Sequence, residues 1–126
     1  MSGALLDTSV LIAGAADHGN LPVSAAISVV SIGELVAGVA LARTDAVRSR
    51  RAAHLEAVRG AYAPLPVDDP VAERYGHLLA FARGQGRSEK ATDLLIAATA
   101  AATGRTLYTR DERQASLARA AGLSVA

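Results

Sequence analysis

The sequence predicts an α/β domain, a three-layer α/β/α sandwich around a mostly parallel sheet of four or five strands. Short β-branched or apolar runs alternate with longer helical patterns, as they do in βαβ units. Gly, Pro and capping residues bound these runs at spacings that suit crossover helices. The chain has 126 residues, of which 51% are hydrophobic and 20% charged. This length is enough for one domain with a core and too short for two, so residues 1–126 are assigned to one domain.

The first half of the chain predicts two βα units and an arginine-rich helix. Gly14 closes the first helix and Thr44 caps the third. Ser31-Ile32-Gly33-Glu34 opens the second helix. In order, the predicted elements are a strand at 4–7, a helix at 8–13, a turn at 17–22, a strand at 26–30, and helices at 34–42 and about 45–60.

The second half predicts the other face of the sandwich. Gly84-Gln85-Gly86 follows a helix instead of a strand, so it ends that helix and is not a phosphate loop. Ser88 caps the long apolar helix that follows, and Gly104 ends it. In order, the predicted elements are a short strand at 65–67, a helix that starts at 68–70, a helix from Ser88 to Gly104, a strand at 106–109, a helix at 111–121 and an edge strand at 123–125. The core face of the first of these helices carries Val71, Tyr75, Leu78, Leu79 and Ala82.

Four acids occupy corresponding places in this architecture. Asp7 ends the first strand, Glu34 lies in the first turn after the second, Asp93 is early in the apolar helix, and Asp111 follows the strand at 106–109. Ligands bind at the carboxyl ends of the strands in open parallel sheets, so we expect the four side chains to converge. Asp93 is the most informative, because a charge in a largely apolar helix must be paired, protonated or bound to a metal.

Each acid also has a structural interpretation. Asp7 and Asp111 can cap the helices that follow them, and Ser31 with Glu34 matches a capping box. Asp93 in a first helical turn is favoured by the helix dipole. A shared site explains better than these separate interpretations why an acid recurs at every such position.

Clustered carboxylates repel one another, and a divalent cation is the physical remedy. With oxygen ligands and no cysteine, the sequence favours Mg²⁺ or Mn²⁺ over zinc. His18, His54 and His77 have no paired-ligand spacing and are interpreted as surface or packing residues. The lack of cysteine also excludes a disulfide framework and fits a reducing compartment.

The net charge of +1 is unevenly distributed along the chain. No Lys or Arg occurs in residues 1–40, whereas arginines dominate residues 43–59. An acidic centre beside a basic flank suits a polyanion, and a solvated helix face is the structural alternative. The candidate phosphate-binding residues, which become RNA-binding residues if the polyanion is RNA as the resemblance given below implies, are Arg43, Arg48, Arg50, Arg51, Arg87, Lys90 and Arg110.

Four segments resemble, in order, the signature segments of PIN-domain nucleases. They are Leu-Leu-Asp-Thr-Ser-Val-Leu-Ile at 5–12, Ser-Ile-Gly-Glu-Leu at 31–35, Asp-Leu-Leu-Ile-Ala-Ala at 93–98 and Thr-Arg-Asp at 109–111. In length and order the chain is most similar to VapC-type toxins of bacterial toxin-antitoxin pairs. One segment alone is a weak signal, but four in order over essentially the whole chain are specific. The chain departs from many relatives at 113–117, which lack an aromatic residue after the fourth acid.

The resemblance implies a metal-dependent endoribonuclease that inhibits growth or translation and leaves 5′-phosphate ends. It implies that the catalytic acids, which bind Mg²⁺ or Mn²⁺, are Asp7, Glu34, Asp93 and Asp111. Hydroxyls beside them are candidates to fix these carboxylates through hydrogen bonds. These supporting residues are Thr8, Ser9 and Thr109.

The resemblance also implies a small VapB-like antitoxin. Its C-terminal segment would lie in a groove beside residues 10–13 and 35–41 and bury their apolar side chains, with a basic side chain reaching the acids. We expect a homodimer as well, for which the helix with Val71, Leu78 and Leu79 is a candidate surface. The longest apolar run, at 94–102, is too short to span a bilayer, and no secretory leader is evident, so we expect a cytoplasmic protein.

Two other classes remain open. A receiver-like phosphoacceptor domain has a similar size, but it needs an Asp at the end of a central strand and a Lys at the end of a later one. Asp68 and Asp69 instead lead into a helix start, and Lys90 lies elsewhere. A PIN-fold module that binds RNA or an antitoxin without catalysis is opposed by the presence of all four acids. A nuclease assay with Mn²⁺ and an EDTA control separates it from an enzyme.

Overall fold

The computed structural model describes residues 3–13 and 24–126. Strands and helices alternate through most of this part of the chain, as the sequence predicts. In order they are β1 (Ala4–Leu6), α1 (Thr8–Ala13), β2 (Ala25–Ser28), α2 (Val29–Ala40), α3 (Asp45–Ala61), β3 (Pro64–Leu65), α4 (Asp69–Gly84), α5 (Ala91–Ala102), β4 (Thr106–Tyr108) and α6 (Glu112–Ala120).

Within the described residues, four strands form one all-parallel sheet in the order β3-β2-β1-β4. β1 is central, and its Leu6 lies opposite Ile27 of β2 on one side and Tyr108 of β4 on the other. The predicted last strand is reduced to an isolated parallel bridge between Leu107 and Val125. The predicted α/β fold with a parallel sheet is confirmed.

Helices cover both faces of the sheet, because successive side chains of a strand point to opposite faces. Leu5 packs with Leu94 and other side chains of α4, α5 and α6 in one core. Leu6 packs with Val10 of α1 and Val58 of α3 in the second core. This arrangement is the predicted three-layer sandwich.

The inner face of α4 carries the predicted core residues, and their burial changes the expectation for the homodimer surface. Val71 and Leu78 are 2% and 5% exposed and belong to the core, while Tyr75 and Leu79 pack against it. Val71 and Leu78 therefore cannot form a homodimer surface, because the protein interior already covers them. The homodimer, with the exposed face of α4 as its candidate surface, stays a prediction.

The start of α2 differs from the prediction. Ser28 caps the helix by accepting a hydrogen bond from the Val30 N–H at 3.0 Å, so Val29 and Val30 belong to its first turn and not to a strand. Their β-branched side chains favour a strand locally, but the cap outweighs that weak preference. Glu34 consequently lies in the middle of α2, and its capping box with Ser31 is wrong.

The other helix ends agree more closely. Thr44 and Asp68 cap α3 and α4 as predicted. Gly86, with a φ of 68°, follows the end of α4, which confirms helix termination in place of a phosphate loop. Ser88 is not a cap, because α5 begins after Lys90 without a side-chain cap.

Three further predictions concern Arg43, residues 14–22 and membrane-spanning helices. Arg43 lies in the turn before α3 and not on that helix. The helix closure by Gly14, the turn at 17–22 and His18 lie outside the described residues. Of the helices in the described residues, none has the length and apolar character needed to cross a membrane.

Candidate active site

The ends of β1 and β4 bring two predicted site segments together. The Asp7 N–H donates to the Tyr108 carbonyl at 2.8 Å, so Asp7 and Thr109 leave the sheet side by side. The Thr109 hydroxyl lies 3.1 Å from Asp7 Oδ2 and can donate to it. The first and fourth segments therefore meet because parallel strands end at one edge of the sheet.

Asp7 is a buried acid held through one oxygen. It is 4% exposed, and its Oδ2 accepts from the Ser9 hydroxyl at 2.6 Å and from the Ser9 N–H at 3.2 Å. The second contact is of the capping type that the structural interpretation foresees. No described residue donates a hydrogen bond to Oδ1, which leaves that oxygen available to a ligand.

Glu34 is fixed by a relay of hydroxyls from α1 and α2. The Thr8 hydroxyl donates to Glu34 Oε1 at 2.5 Å, and the Ser31 hydroxyl lies 2.8 Å from Thr8 Oγ1. Because Thr8 has one proton and gives it to Glu34, Ser31 is the donor to Thr8. Ser31 is fully buried and lies one helical turn before Glu34. Once α2 is known to start at Val29, this spacing places the two side chains on the same face of the helix.

The Asp93 carboxylate is half-buried in the first turn of α5 and receives no hydrogen bond from any described residue. Burial is the main cause that raises its pKa from 3.8 to about 6, and the negative charges of Asp7, Asp111 and Glu34 add to the rise, while Lys90 opposes it. Asp7, Asp111 and Glu34 are thus each close enough to Asp93 for their charges to act on it. Convergence of the acids is what the sequence predicts.

Asp111 is the cap of α6. Its Oδ1 accepts from the Arg113 N–H at 3.0 Å and from the Gln114 N–H at 3.3 Å. The structural interpretation of this acid is therefore correct. It does not exclude a role at the site, because no described residue donates to Oδ2 and the charge still acts on Asp93.

Gln114 is a site-adjacent residue that sequence reasoning missed. It is 3% exposed and contacts both Thr109 and the Asp93 carbonyl. The feature that could identify Gln114 from the sequence is its place, as a polar residue, on the inner face of a helix. The other buried side chains of that helix are Ala115, Leu117 and Ala118. Gln114 also lies in the segment that lacks the aromatic residue of many relatives.

The donor chemistry of the site fits a hard divalent cation. Every candidate ligand is a carboxylate oxygen, and Asp93 gains from a nearby positive charge. In residues 3–13 and 24–126, however, no three Asp, Glu or His side chains are grouped as a ready-made metal site. Mg²⁺ is commonly held by one or two carboxylates and several waters, so an incomplete protein ligand set still fits it.

The predicted RNA-binding residues fall into two groups. Arg48 is engaged by Asp45 and the Ala42 carbonyl, and Arg51 donates to the Gly38 carbonyl at 2.7 Å. Arg48 and Arg51 are nevertheless exposed, as are Arg43, Arg50, Lys90 and Arg110, and Arg87 forms the second group because it is partly buried. The Arg110 N–H also donates to Ser9 Oγ at 3.0 Å, which places this residue at the edge of the acid cluster.

Arg87 is part of a structural clip between the segment before α5 and the start of α6. It pairs with Glu89 at 3.0 Å and donates to the Arg113 carbonyl at 2.9 Å. The Glu89 side chain is only 4% exposed, and Arg113 approaches it at 3.5 Å. A guanidinium committed in this way is poorly suited to bind RNA, so Arg87 is removed from the RNA-binding set.

A cavity of about 500 Å³ opens beside Glu34, between α1, α2 and α3. Its lining residues are Ile12, Glu34, Leu35, Gly38, Arg50, Arg51 and His54. Ile12 is 70% exposed, whereas Val10 and Leu11 are buried in the core. Of the apolar residues expected to face a groove on α1, Val10 and Leu11 are therefore excluded.

The family model for the PIN domain matches residues 4–120, which include all four acids. The chain belongs to the PIN-domain family. The match extends over both cores and all four strands described above.

Individual relatives of this PIN-domain chain come from Mycobacterium tuberculosis. Ribonuclease VapC5 is 37% identical over 125 residues, covering 96% of this chain and 92% of VapC5. Ribonuclease VapC8 is 46% identical over 100 residues, covering 76% of this chain and 88% of VapC8. The crystal structure of VapBC-5, a member of the VapBC family of toxin-antitoxin systems, matches with a TM-score of 0.85 and 36% identity over 100% of this chain and 97% of that chain.

Proposed function

We propose that this protein is a Mg²⁺-dependent endoribonuclease, with Mn²⁺ as a substitute, that acts as the toxin of a toxin-antitoxin pair. The observation that carries the proposal is the Asp93 carboxylate, which has no hydrogen bond from the described residues and a pKa raised to about 6 by burial and by Asp7, Asp111 and Glu34. A divalent cation relieves both the repulsion and the missing contact. The similarity to ribonucleases VapC5 and VapC8 supports RNA as the substrate.

Asp7 and Asp93 are the proposed direct ligands. Ser9 restrains one oxygen of the Asp7 carboxylate and leaves the other open. The Asp93 carboxylate accepts no hydrogen bond from the described residues, so both of its oxygens are open to a ligand. Glu34 is the proposed acid that orients the attacking water, because the Thr8 hydroxyl restrains only its Oε1. Asp111 contributes charge and completes the ligand set directly or through water.

The bound cation would supply a polarised water and neutralise charge on the scissile phosphate. The protein contributes the arrangement around it. Ser9, Thr8 and Thr109 fix carboxylates by hydrogen bonds that leave other oxygens open. With water as the nucleophile, the RNA 2′-hydroxyl has no part in the chemistry. The resemblance to PIN-domain nucleases implies that the 3′-oxygen leaves, so that the phosphate stays on the 5′-oxygen of the product.

Exposed basic residues are proposed to bind the phosphates that flank the cleaved bond. Arg50 lines the cavity beside Glu34, Lys90 directly precedes α5, and Arg110 directly precedes Asp111. Arg43 lies in the bend before α3. Such contacts position an RNA strand without reading its sequence. An aromatic content of 3% makes a base-stacking platform improbable.

The cavity beside Glu34 is the proposed site for an antitoxin segment. Ile12, which is 70% exposed, and Leu35 line the cavity with apolar surface, which suits one face of an amphipathic peptide. Val36 and Leu41 are also exposed, on α2 and just after it, but they do not line the cavity. Glu34 connects this surface to the acids, where an arginine of the peptide can pair with a carboxylate in place of the cation. The similarity to VapBC-5 supports a partner of this type.

The function is tested by sequencing 5′-phosphate RNA ends after induced expression. Induction of the parent protein should create new ends at defined positions, and the Asp93→Asn variant, expressed to the same level, should create none. Equal end profiles for the two proteins would refute the proposed activity. A parent that binds RNA and produces no new ends would instead support a catalytically silent binding module.

The antitoxin is tested by co-purification of the protein with the product of the neighbouring gene. A small partner with a basic C-terminal segment should bind tightly, and Ile12→Ser, which removes apolar surface and adds no charge beside Glu34 and Arg50, should weaken that binding more than it changes RNA cleavage. Inhibition that survives mutation of every partner Arg and Lys near the cavity would contradict the proposed competition with the cation.

A further inference from the structure

The Gln114 side chain connects the segments that carry three of the four acids. Its Nε2 donates to the Asp93 carbonyl at 3.1 Å, and its Oε1 lies 2.9 Å from the Thr109 hydroxyl. Its backbone N–H donates to Asp111 Oδ1 at 3.3 Å. Thr109 in turn lies 3.1 Å from Asp7 Oδ2. One buried amide therefore touches, directly or through one hydroxyl, the surroundings of all three acids.

The orientation of the Gln114 amide is fixed by its neighbours. The Asp93 carbonyl can only accept, so it requires the NH₂ end of the amide and turns the oxygen toward Thr109. The Thr109 hydroxyl has one proton, and its two nearest acceptors are Gln114 Oε1 at 2.9 Å and Asp7 Oδ2 at 3.1 Å. When the Thr109 hydroxyl donates its hydrogen bond to Gln114, it does not donate it to Asp7. The amide therefore influences how strongly the Asp7 carboxylate is hydrogen-bonded.

We propose that Gln114 is a positioning residue that prepares Asp7, Asp93 and Asp111 to bind a divalent cation. The inference rests on the proposed function. Gln114 acts through the Asp93 carbonyl, which sets the position of the first turn of α5, and through the Thr109 hydroxyl. Without the amide, the turn carrying Asp93 loses this hydrogen bond to α6, and the Thr109 hydroxyl is left to donate mainly to Asp7.

Both changes weaken metal binding. If the Asp93 carboxylate is displaced, it and the Asp7 carboxylate can no longer reach the same cation. An Asp7 carboxylate that accepts a stronger hydrogen bond also donates less electron density to a metal. Removing hydrogen-bond partners behind metal ligands typically lowers metal affinity or activity by about 10- to 100-fold. We expect a loss in that range when the Gln114 amide is removed.

The test measures Mn²⁺ binding directly, without RNA. Gln114→Leu removes both polar ends of the side chain at similar volume, and free Mn²⁺ is followed by electron paramagnetic resonance during titration of the purified full chain. Its Mn²⁺ affinity should fall by about 10- to 100-fold. The Mg²⁺ concentration for half-maximal cleavage should rise by a similar factor, while the KM for RNA stays constant. Gln114→Met repeats the measurement, and circular dichroism gives the folded fraction to which each affinity is normalised.

Thr99→Val is the matched control. Thr99 is fully buried in α5 and donates to the Leu95 carbonyl at 2.8 Å, so this change also removes a buried polar group but touches none of the acids. Its Mn²⁺ affinity should equal that of the parent. Parental affinity in both Gln114 variants, or an equal loss in Thr99→Val, would overturn the positioning role alone. A parent protein that binds no Mn²⁺ would overturn the proposed function as well.

Discussion

Asp7 and Thr109 lie 102 residues apart in the chain, yet the Thr109 hydroxyl is 3.1 Å from the Asp7 carboxylate. The contact follows from the sheet, because β1 and β4 are parallel neighbours with Leu6 opposite Tyr108. Each strand ends one residue before a site residue. The acid cluster is therefore a consequence of strand order and register, to which the helices α2 and α5 add Glu34 and Asp93.

Asp93 should make the metal-free protein less stable as the pH rises. Its pKa is about 6 in the folded state and 3.8 in the unfolded chain, so the folded state retains a proton that the unfolded chain releases. The associated stability is fully present below about pH 4 and is lost as the pH rises through about 6. Since the group is partly solvated, the loss is about 1–2 kcal/mol and not the full value of the shift.

Asp93→Asn removes this pH dependence. In EDTA near neutral pH, the variant should be more stable to urea than the parent by about 1–2 kcal/mol, and the difference should vanish near pH 4. Glu56→Gln, at an exposed carboxylate of α3, should follow the parent across the range. A constant difference between Asp93→Asn and the parent at every pH would show that this carboxylate is not destabilised by its neighbours.

Thr8→Val should lower catalysis through Glu34. The variant keeps the shape of the side chain and removes the hydroxyl that donates to Glu34 Oε1, so the carboxylate loses its fixed orientation. We expect the cleavage rate at saturating Mg²⁺ to fall by about 10- to 100-fold. Thr8→Ser keeps the donor and should retain most of the rate. If Thr8→Val is as active as the parent, the hydroxyl relay has no role in orienting Glu34.

Arg50→Ala should weaken RNA binding similarly for different sequences. Arg50 is exposed and lines the cavity beside Glu34, so its guanidinium suits a phosphate contact. The slope of log affinity against log salt should decrease by about one. Arg59→Ala, an exposed position in the last turn of the same helix, should change both quantities less. A shifted cleavage position with an unchanged salt slope would mean that Arg50 reads bases.

Arg87→Ala should affect stability rather than RNA binding. The Glu89 carboxylate is almost fully covered and would keep only the longer contact with Arg113. The free energy of unfolding should fall by about 2–4 kcal/mol, as when one partner of a buried ion pair is removed. Arg83→Ala, at an exposed arginine of α4, should change it by about 0.5 kcal/mol or less. A stable Arg87→Ala variant with weakened RNA affinity would restore Arg87 to the RNA-binding set.

Local patterns are sufficient to predict the four strands of the sheet to within a few residues and most helices, but the predicted edge strand at 123–125 is only an isolated bridge. β1, α1, α3 and α4 lie where capping residues and periodicity indicate, since Thr44 and Asp68 form the caps that their side chains predict. The start of α2 was missed because the β-branched pair Val29 and Val30 favours a strand, while the cap at Ser28 decides the outcome. Propensity is weak there and one tertiary or capping contact outweighs it.

Contacts between distant segments were beyond the reach of sequence patterns. The acids follow the carboxyl ends of parallel strands, which lie at one edge of a sheet, so their approach to one another is predictable without the strand order. The ion pair of Arg87 with a buried Glu89 and the bridge from Gln114 to Asp93 depend on how α5 and α6 pack, and local sequence does not encode that packing. The roles of the four acids in binding metal stay a prediction.

The central claim is that the acid cluster binds a divalent cation and cleaves RNA with it. The most direct measurement is cleavage of RNA by the purified protein in Mg²⁺, with EDTA, Asp93→Asn and Glu56→Gln compared at equal folded concentration. The account predicts 5′-phosphate products from the parent and from Glu56→Gln, none in EDTA, and a rate at least about 100-fold lower for Asp93→Asn. Cleavage that persists in EDTA, or an Asp93→Asn variant as fast as the parent, would contradict it.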